Sequence, residues 1–294
     1  MPAAPLVSVL VTIYNRDDYV LDCLESILSS SFEDFEVIAV DDQSTDDSVA
    51  VVEGCAAHDS RIRLHRNPEN LGDYRNRNRA AELARGKYLK YLDADDLIYP
   101  HALGVFVDAM DRNPEAALAL SLNTIDPAVP FPFQTDSRET VRRHFLGGGL
   151  LGVGPSASII RREAFERVGG FSGRQFIGDT ELWLKLASRW PVVSLPPALV
   201  WWRRHEGQQM NLEMSRPEVL VKRYLLDFDV LENTSFLDLQ EKAKVRGRLK
   251  QHHARRLLAL AIKGGRPRVA FRLARDSGLT AREMLRGIRP YQRR

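Results

Sequence analysis

The feature that most constrains this chain is a strict alternation across its first hundred residues. Short apolar runs at residues 6–13, 36–40, 61–65 and 87–92 are each followed by a stretch with helical character. Strand–helix–strand repetition at this spacing predicts a parallel sheet with helices on both faces. In the first helical stretch Tyr19, Val20, Cys23, Leu24, Ile27 and Leu28 form the apolar stripe, and Asp17 or Asp18 is expected to cap it. Thr45 or Asp46 is expected to open the second helix and a third is expected over about 73–84, with Gly86 as its C-cap.

Three of the four runs end in polar residues: Tyr14-Asn15-Arg16, Asp41-Asp42 and Asp93-Ala94-Asp95-Asp96. Open sheets of this kind bind ligands beyond the carboxyl ends of their strands, so these groups gather along one rim. Alternate residues of an extended chain point the same way, which lets Asp93 and Asp95 project together. Two converging carboxylates repel unless a cation joins them, and oxygen ligands suit Mg2+ or Mn2+. The plainer account of the same residues is one helix cap with the other acids in water. Asp41 and Asp42 likewise fit either a cap and turn or an acceptor for a base or ribose. Thr12, Tyr14 and Asn15 line the same crevice, with the Tyr ring available to a nucleobase face. Arg77 brings a cation near the rim.

Further along, a strand is expected near 116–122, an irregular proline-bearing loop at 126–136 and a flexible glycine-rich stretch at 147–154. Another strand is expected at 156–160, a helix at 179–189, and short strands at 192–195 and 198–202. Asp179 and Glu181 lead that helix, where the dipole favours acids and where a carboxylate can also serve as a general base. Trp201, Trp202, Arg203, Arg204 and His205 form an aromatic–basic cluster. Beyond 217 the pattern is helical, with helices expected at 252–262 and 269–273.

Composition is that of a chain with a buried core, 44% apolar and 28% charged. The net charge of +3 conceals an asymmetry. Residues 242–294 hold 17 Lys and Arg against two acids, Asp276 and Glu283, so the remainder is acidic. Such a tail suits either of two roles: contact with an anionic partner, namely an anionic membrane surface, nucleic acid or another protein, or simple complementation of the acidic body. Nucleic acid is not expected, because no nucleic-acid module is present and the acidic body opposes a phosphate track. Cys23 and Cys55 lack metal-site spacing and read as reduced thiols. No apolar run reaches the roughly 20 residues of a spanning helix. A cytoplasmic location is expected, with the tail able to hold the chain at the inner face of the membrane.

Taken in order, these segments resemble glycosyltransferase family 2. The stretch from Val7 to Arg16 looks like that family's first strand and nucleotide loop, Val40-Asp41-Asp42-Gln43-Ser44 like its second signature, and Asn70-Leu71-Gly72 with Arg77-Asn78 like its third. Tyr91-Leu92-Asp93-Ala94-Asp95-Asp96 matches the DxD element. Val168-Gly169-Gly170-Phe171, Asp179-Thr180-Glu181-Leu182-Trp183 and Trp202-Arg203-Arg204-His205-Glu206-Gly207-Gln208 continue the match to about residue 210.

The resemblance implies an α/β GT-A fold, a mostly parallel Rossmann-like sheet flanked by helices. It places a catalytic domain at 1–215, with a nucleotide-binding half at about 1–100 and an acceptor-binding half at about 101–215, followed by a basic helical appendage at 216–294. It implies an inverting, divalent-metal-dependent (Mn2+ or Mg2+) glycosyltransferase that takes a nucleoside-diphosphate sugar donor and a glycan or lipid-linked acceptor. Thr12, Tyr14, Asn15, Asp42, Arg77 and Asp93 would hold the nucleotide. Asp95 and His205 would serve the metal, and Asp179 would be the base. The family usually carries Glu before that Asp, whereas Gly178 stands here, with Glu181 as the alternative base. A sugar-nucleotide-binding scaffold without turnover is the second expectation.

Overall fold

The computed structural model describes residues 4–125, 128–205, 208 and 216–288. The chain divides into two compact units, Met1–Arg203 and Arg204–Arg294.

In the first unit, β1 (Val7–Ile13), β2 (Phe35–Asp41), β3 (Ile62–Arg66) and β4 (Tyr88–Asp93) lie parallel in the order β3-β2-β1-β4. All of β2 and nearly all of β1 is buried, which is why both are continuous apolar runs rather than alternating ones. Helices α1 (Asp17–Leu28), α2 (Ser48–His58) and α3 (Asp73–Leu83) connect them. All four strands of the predicted parallel set are present.

Past β4 the sheet changes character. After a two-residue β5 (Leu97–Ile98) and α4 (Ala102–Arg112) come β6 (Leu118–Ser121), β7 (Phe133–Thr135), α5 (Ser137–Leu146), β8 (Ser158–Arg161), α6 (Arg162–Arg167), α7 (Gly178–Ala187), β9 (Val192–Leu195) and β10 (Val200–Trp201). β8 runs antiparallel to both β4 and β6, β9 parallel to β6, and β7 antiparallel to β9, which completes eight strands. β10 pairs with β5 in a separate two-stranded ribbon.

Several local expectations are corrected. Asp17 and Asp18 sit in the first turn of α1, where Asp17 Oδ1 accepts Asp18 N–H at 3.0 Å, and neither is the N-cap; that residue is Arg16, whose backbone N–H donates to Ser48 Oγ at 2.7 Å. α2 begins at Ser48 rather than at Thr45 or Asp46, because the Asp46 carboxylate accepts the N–H groups of both Ser48 and Asp17 and so joins the starts of two helices. Gly86 does not cap α3. Its Cβ would stand 2.5 Å from Ser8 N, so its bareness lets β4 enter beside β1. The 126–136 segment is not wholly irregular, since β7 forms within it against β9. Helix α5 was not anticipated; Asp136 caps it, accepting Glu139 N–H at 2.8 Å.

The second unit contains α8 (Glu218–Asn233), α9 (Leu239–Ile262), α10 (Pro267–Asp276) and α11 (Ala281–Arg286). α9 starts well before residue 252, at a capping box of Asp238 and Glu241. Val221, Leu257, Leu273 and Ala274 form its small core. Among the described residues no helix is long and apolar enough to cross a membrane.

Candidate active site

The rim at the carboxyl ends of β1, β2 and β4 is built from backbone register upward. Thr12 is aligned with Val40 on one side and Asp93 on the other, which sets the ends of three strands level. Beyond them the chain turns sharply, with Asn15 at φ 52° and Gln43 at φ 66°. Asn15 spans the two loops: its N–H donates to Ser44 Oγ at 2.9 Å and its Oδ1 accepts Thr45 N–H at 2.8 Å. Tyr14 projects with 49% of its surface exposed, as a ring offered to a planar ligand would.

Asp41 and Asp42 are both buried, for different reasons. Asp41 accepts the N–H groups of Gln43 and Ser44 and closes the turn. Asp42 accepts Asn67 Nδ2 and Leu71 N–H on one oxygen and Gly72 N–H on the other, each at 2.8 Å. A carboxylate offers about four acceptor sites, so most of Asp42 is already committed to folding the loop before α3.

At the end of β4 the carboxylates of Asp93, Asp95 and Asp96 lie within 4.8 Å of one another. Each is held separately. Asp93 N–H donates to Ser156 Oγ at 3.0 Å, and Asp93 Oδ1 lies 2.8 Å from Arg77 Nη1 as an ion pair, without hydrogen-bond alignment. Asp95 pairs with Arg16 Nε at 3.2 Å. Asp96 is buried and accepts Arg203 N–H at 3.2 Å. Burial first, and then the neighbouring charges of Asp93 and Asp95, push the Asp96 carboxyl up to about 7. Three oxygen donors converging within 4.8 Å, two of them each offset by one arginine and the third buried beside them, fit a hard divalent cation.

Arg77 is buried on α3. Burial opposes its charge, but Asp73 at 2.8 Å and Asp93 outweigh that penalty and keep it protonated. Its guanidinium lies 6.0 Å over the Tyr91 ring, whose hydroxyl returns to the Arg77 carbonyl at 3.1 Å. One turn earlier on the same helix, Tyr74 receives Asp179 N–H at 3.4 Å. Asp179, partly exposed at the start of α7, is thereby coupled through α3 to the Asp93 end of the rim. Glu181, by contrast, is buried and taken up by Ser172, by Lys185 at 3.3 Å and by Arg174 at 3.9 Å.

The family model for Glycosyl transferase family 2 matches residues 8–169, more than half of the chain. The chain belongs to glycosyl transferase family 2. It is 24% identical over 224 residues to the glycosyltransferase GlyG of Streptococcus pneumoniae, a match covering 71% of this chain and 74% of that one. Its fold is that of GT-A transferases. The chain superposes on S. aureus TarS, solved with UDP-GlcNAc, with a TM-score of 0.64 at 20% identity, covering 84% of this chain and 72% of that one. A mannosyltransferase from Pyrobaculum calidifontis, solved with GDP-Man and Mn2+, gives 0.65 at 17% identity, covering 97% and 86%.

Within this family 2 glycosyltransferase, the departure at Gly178 has a local cause. A Cβ there would lie 2.8 Å from Tyr74 Cζ and 2.9 Å from two further ring atoms, so the ring occupies the space a Glu side chain would need. Four residues of the site went unassigned in the sequence: Arg16, Ser156, Tyr74 and Arg203. Arg203 donates to the Asp95 carbonyl at 3.0 Å and to Asp22 at 2.8 Å, and it is flanked by the Tyr19 and Trp201 rings. Only Arg16 and Arg203 had a signal, as cations inside conspicuous motifs. His205 belongs to the second unit, where its N–H donates to the Gln208 side chain at 3.4 Å. Glu206 and Gly207 of the same motif lie outside the described residues.

Proposed function

We propose that this protein is an inverting, divalent-metal-dependent glycosyltransferase that moves a sugar from a nucleoside-diphosphate donor to a hydroxyl of a glycan or lipid-linked acceptor. The observation that carries this reading is the meeting of Asp93, Asp95 and Asp96 within 4.8 Å, with Arg77 paired to Asp93. Thr12, Tyr14, Asn15 and Asp42 border the nucleoside side of the crevice. Asp95, with Asp93 and Asp96 beside it, would hold Mn2+ or Mg2+. When bound, the ion neutralises charge on the departing diphosphate.

Asp179 accepts the proton of the acceptor hydroxyl. The acceptor oxygen then bonds to the anomeric carbon from the face opposite the diphosphate, and the bond from that carbon to the diphosphate oxygen breaks with its electron pair leaving on the nucleotide. Configuration inverts in one displacement, and no sugar–enzyme bond is formed. Arg77 is fixed on the diphosphate side as a permanent cation that needs no rearrangement. Glu181 is buried, whereas Asp179 is partly exposed at the start of α7 with its Oδ1 accepting Thr180 N–H at 2.7 Å; that access to an incoming acceptor favours Asp179 as base. Gly178, the one feature favouring a scaffold without turnover, is explained by its contact with Tyr74.

The test is a screen of UDP-, GDP- and dTDP-sugars by thermal shift with Mn2+, followed by donor turnover before and after EDTA. Metal-dependent stabilisation by one donor class and EDTA-sensitive turnover are expected. Turnover that survives both EDTA and Asp95→Ala would overturn the metal-dependent reading.

A further inference from the structure

We propose that the outer face of α10, with the connection that precedes it, is a docking surface for an anionic lipid bilayer. In α10, Ala270, Leu273 and Ala274 are buried in the core of the second unit, a spacing of i, i+3 and i+4. The opposite side carries Arg268, Phe271, Arg272 and Arg275 at i, i+3, i+4 and i+7, all exposed. Phe271 stands on that face 76% exposed among three arginines. The stretch from Ile262 to Arg268 is exposed residue by residue. It adds Ile262, itself 78% exposed, together with Lys263 and Arg266.

Five cations therefore surround two bare apolar side chains. Acids near them are few: Glu218 pairs with Arg272 at 2.8 Å, and Asp276 lies 3.8 Å from Arg275. Arg and Lys suit the phosphate plane of a membrane, and an aromatic ring and a branched aliphatic chain suit the layer just beneath it. Charge complementarity selects the occupant. An apolar protein partner gains nothing from the five cations, and a nucleic acid, whose bases could stack on Phe271, gains nothing from the aliphatic Ile262.

The test is co-sedimentation of the full chain with vesicles of phosphatidylcholine alone and of phosphatidylcholine with phosphatidylglycerol. Binding to the anionic vesicles only is expected, weakened by salt. Phe271→Ser is expected to lower the partition roughly ten-fold, and Arg268→Glu with Arg275→Glu by considerably more, at about five-fold or greater per lost cation. All these positions are exposed, so unchanged thermal melting is expected and separates lost docking from lost folding. Absence of sedimentation with anionic vesicles at low salt would overturn the proposal. So would equal binding to neutral vesicles, tighter binding to poly(U) RNA than to vesicles, or self-association of the chain that Phe271→Ser abolishes. None of these readouts depends on transferase activity.

Discussion

Gly178 and the ring of Tyr74 are packed so closely that no side chain fits between them. The contact sets the height of the α7 start above α3, and with it the position of Asp179. Gly178→Ala is expected to cost about 1–3 kcal/mol of stability, as overpacking does. Because displacement of a reacting group by about 1 Å can cost on the order of 100-fold in rate, kcat should fall more than stability alone explains. Thermal denaturation and initial rates check both. Combining Gly178→Ala with Tyr74→Leu should be strongly non-additive, since the second change removes the ring that the first collides with.

The Arg16–Asp95 pair places a guanidinium beside a carboxylate of the acid cluster. Arg16→Ala should therefore raise Mn2+ affinity several-fold in the absence of donor, because Asp95 loses a competing cation. Asp95→Ala should abolish high-affinity binding. Isothermal titration with Mn2+ reads both changes directly, without a turnover assay.

Asp179→Asn keeps the shape of the α7 start and removes the carboxylate proposed to accept the acceptor's proton. A loss of roughly 10²–10⁴ in kcat is expected, with the dissociation constants for donor and Mn2+ unchanged. Glu181→Gln should do the reverse. It removes the ion pairs with Lys185 and Arg174 while an amide oxygen can still accept from Ser172, so it lowers the melting temperature and leaves kcat within a few-fold.

His253 makes the second unit sensitive to acid. It is buried, lies 4.3 Å from Tyr224 in a parallel stack, and faces Ser277 Oγ at 2.7 Å. Ser277 gives its own proton to the Leu273 carbonyl, so His253 Nε2 is the donor in that pair. Burial first, then the charges of Arg256 and His252, lower its pKa from 6.5 to about 4. The unfolded chain therefore takes up a proton before the folded one does. Stability is full above about 6.5 and declines as pH falls from 6.5 towards 4. His253→Gln should flatten that part of the profile, as followed by urea melts of the full chain at stepped pH.

Much of the first unit was legible because its strands are buried on both faces and its helices carry stripes, which are local signals. The acids at the strand ends were legible for the same reason. What the chain conceals is which acids are already in use. Asp42 and Asn15 look like ligand groups in the motif, yet their partners are Leu71, Gly72 and Thr45, contacts made only once separate loops have folded together. Gly178 looked like a defect because its cause, Tyr74, lies over a hundred positions upstream. Gly86 looked like a cap because its close approach to Ser8 N depends on sheet register. α5 was missed because its first residues follow a proline-bearing loop and its apolar stripe is thin.

The pairing of Trp201 with Leu97, and the bond from Arg203 to the Asp95 carbonyl, fasten the acid loop with residues from the far end of the first unit. During synthesis, β1 to β4 leave the ribosome long before this fastening does. The four parallel strands can assemble early, but the acid loop gains this last fastening only when the end of the unit has emerged. An incomplete chain would thus hold its cleft loosely, and the competence to spend a costly activated sugar arrives with the finished catalytic unit.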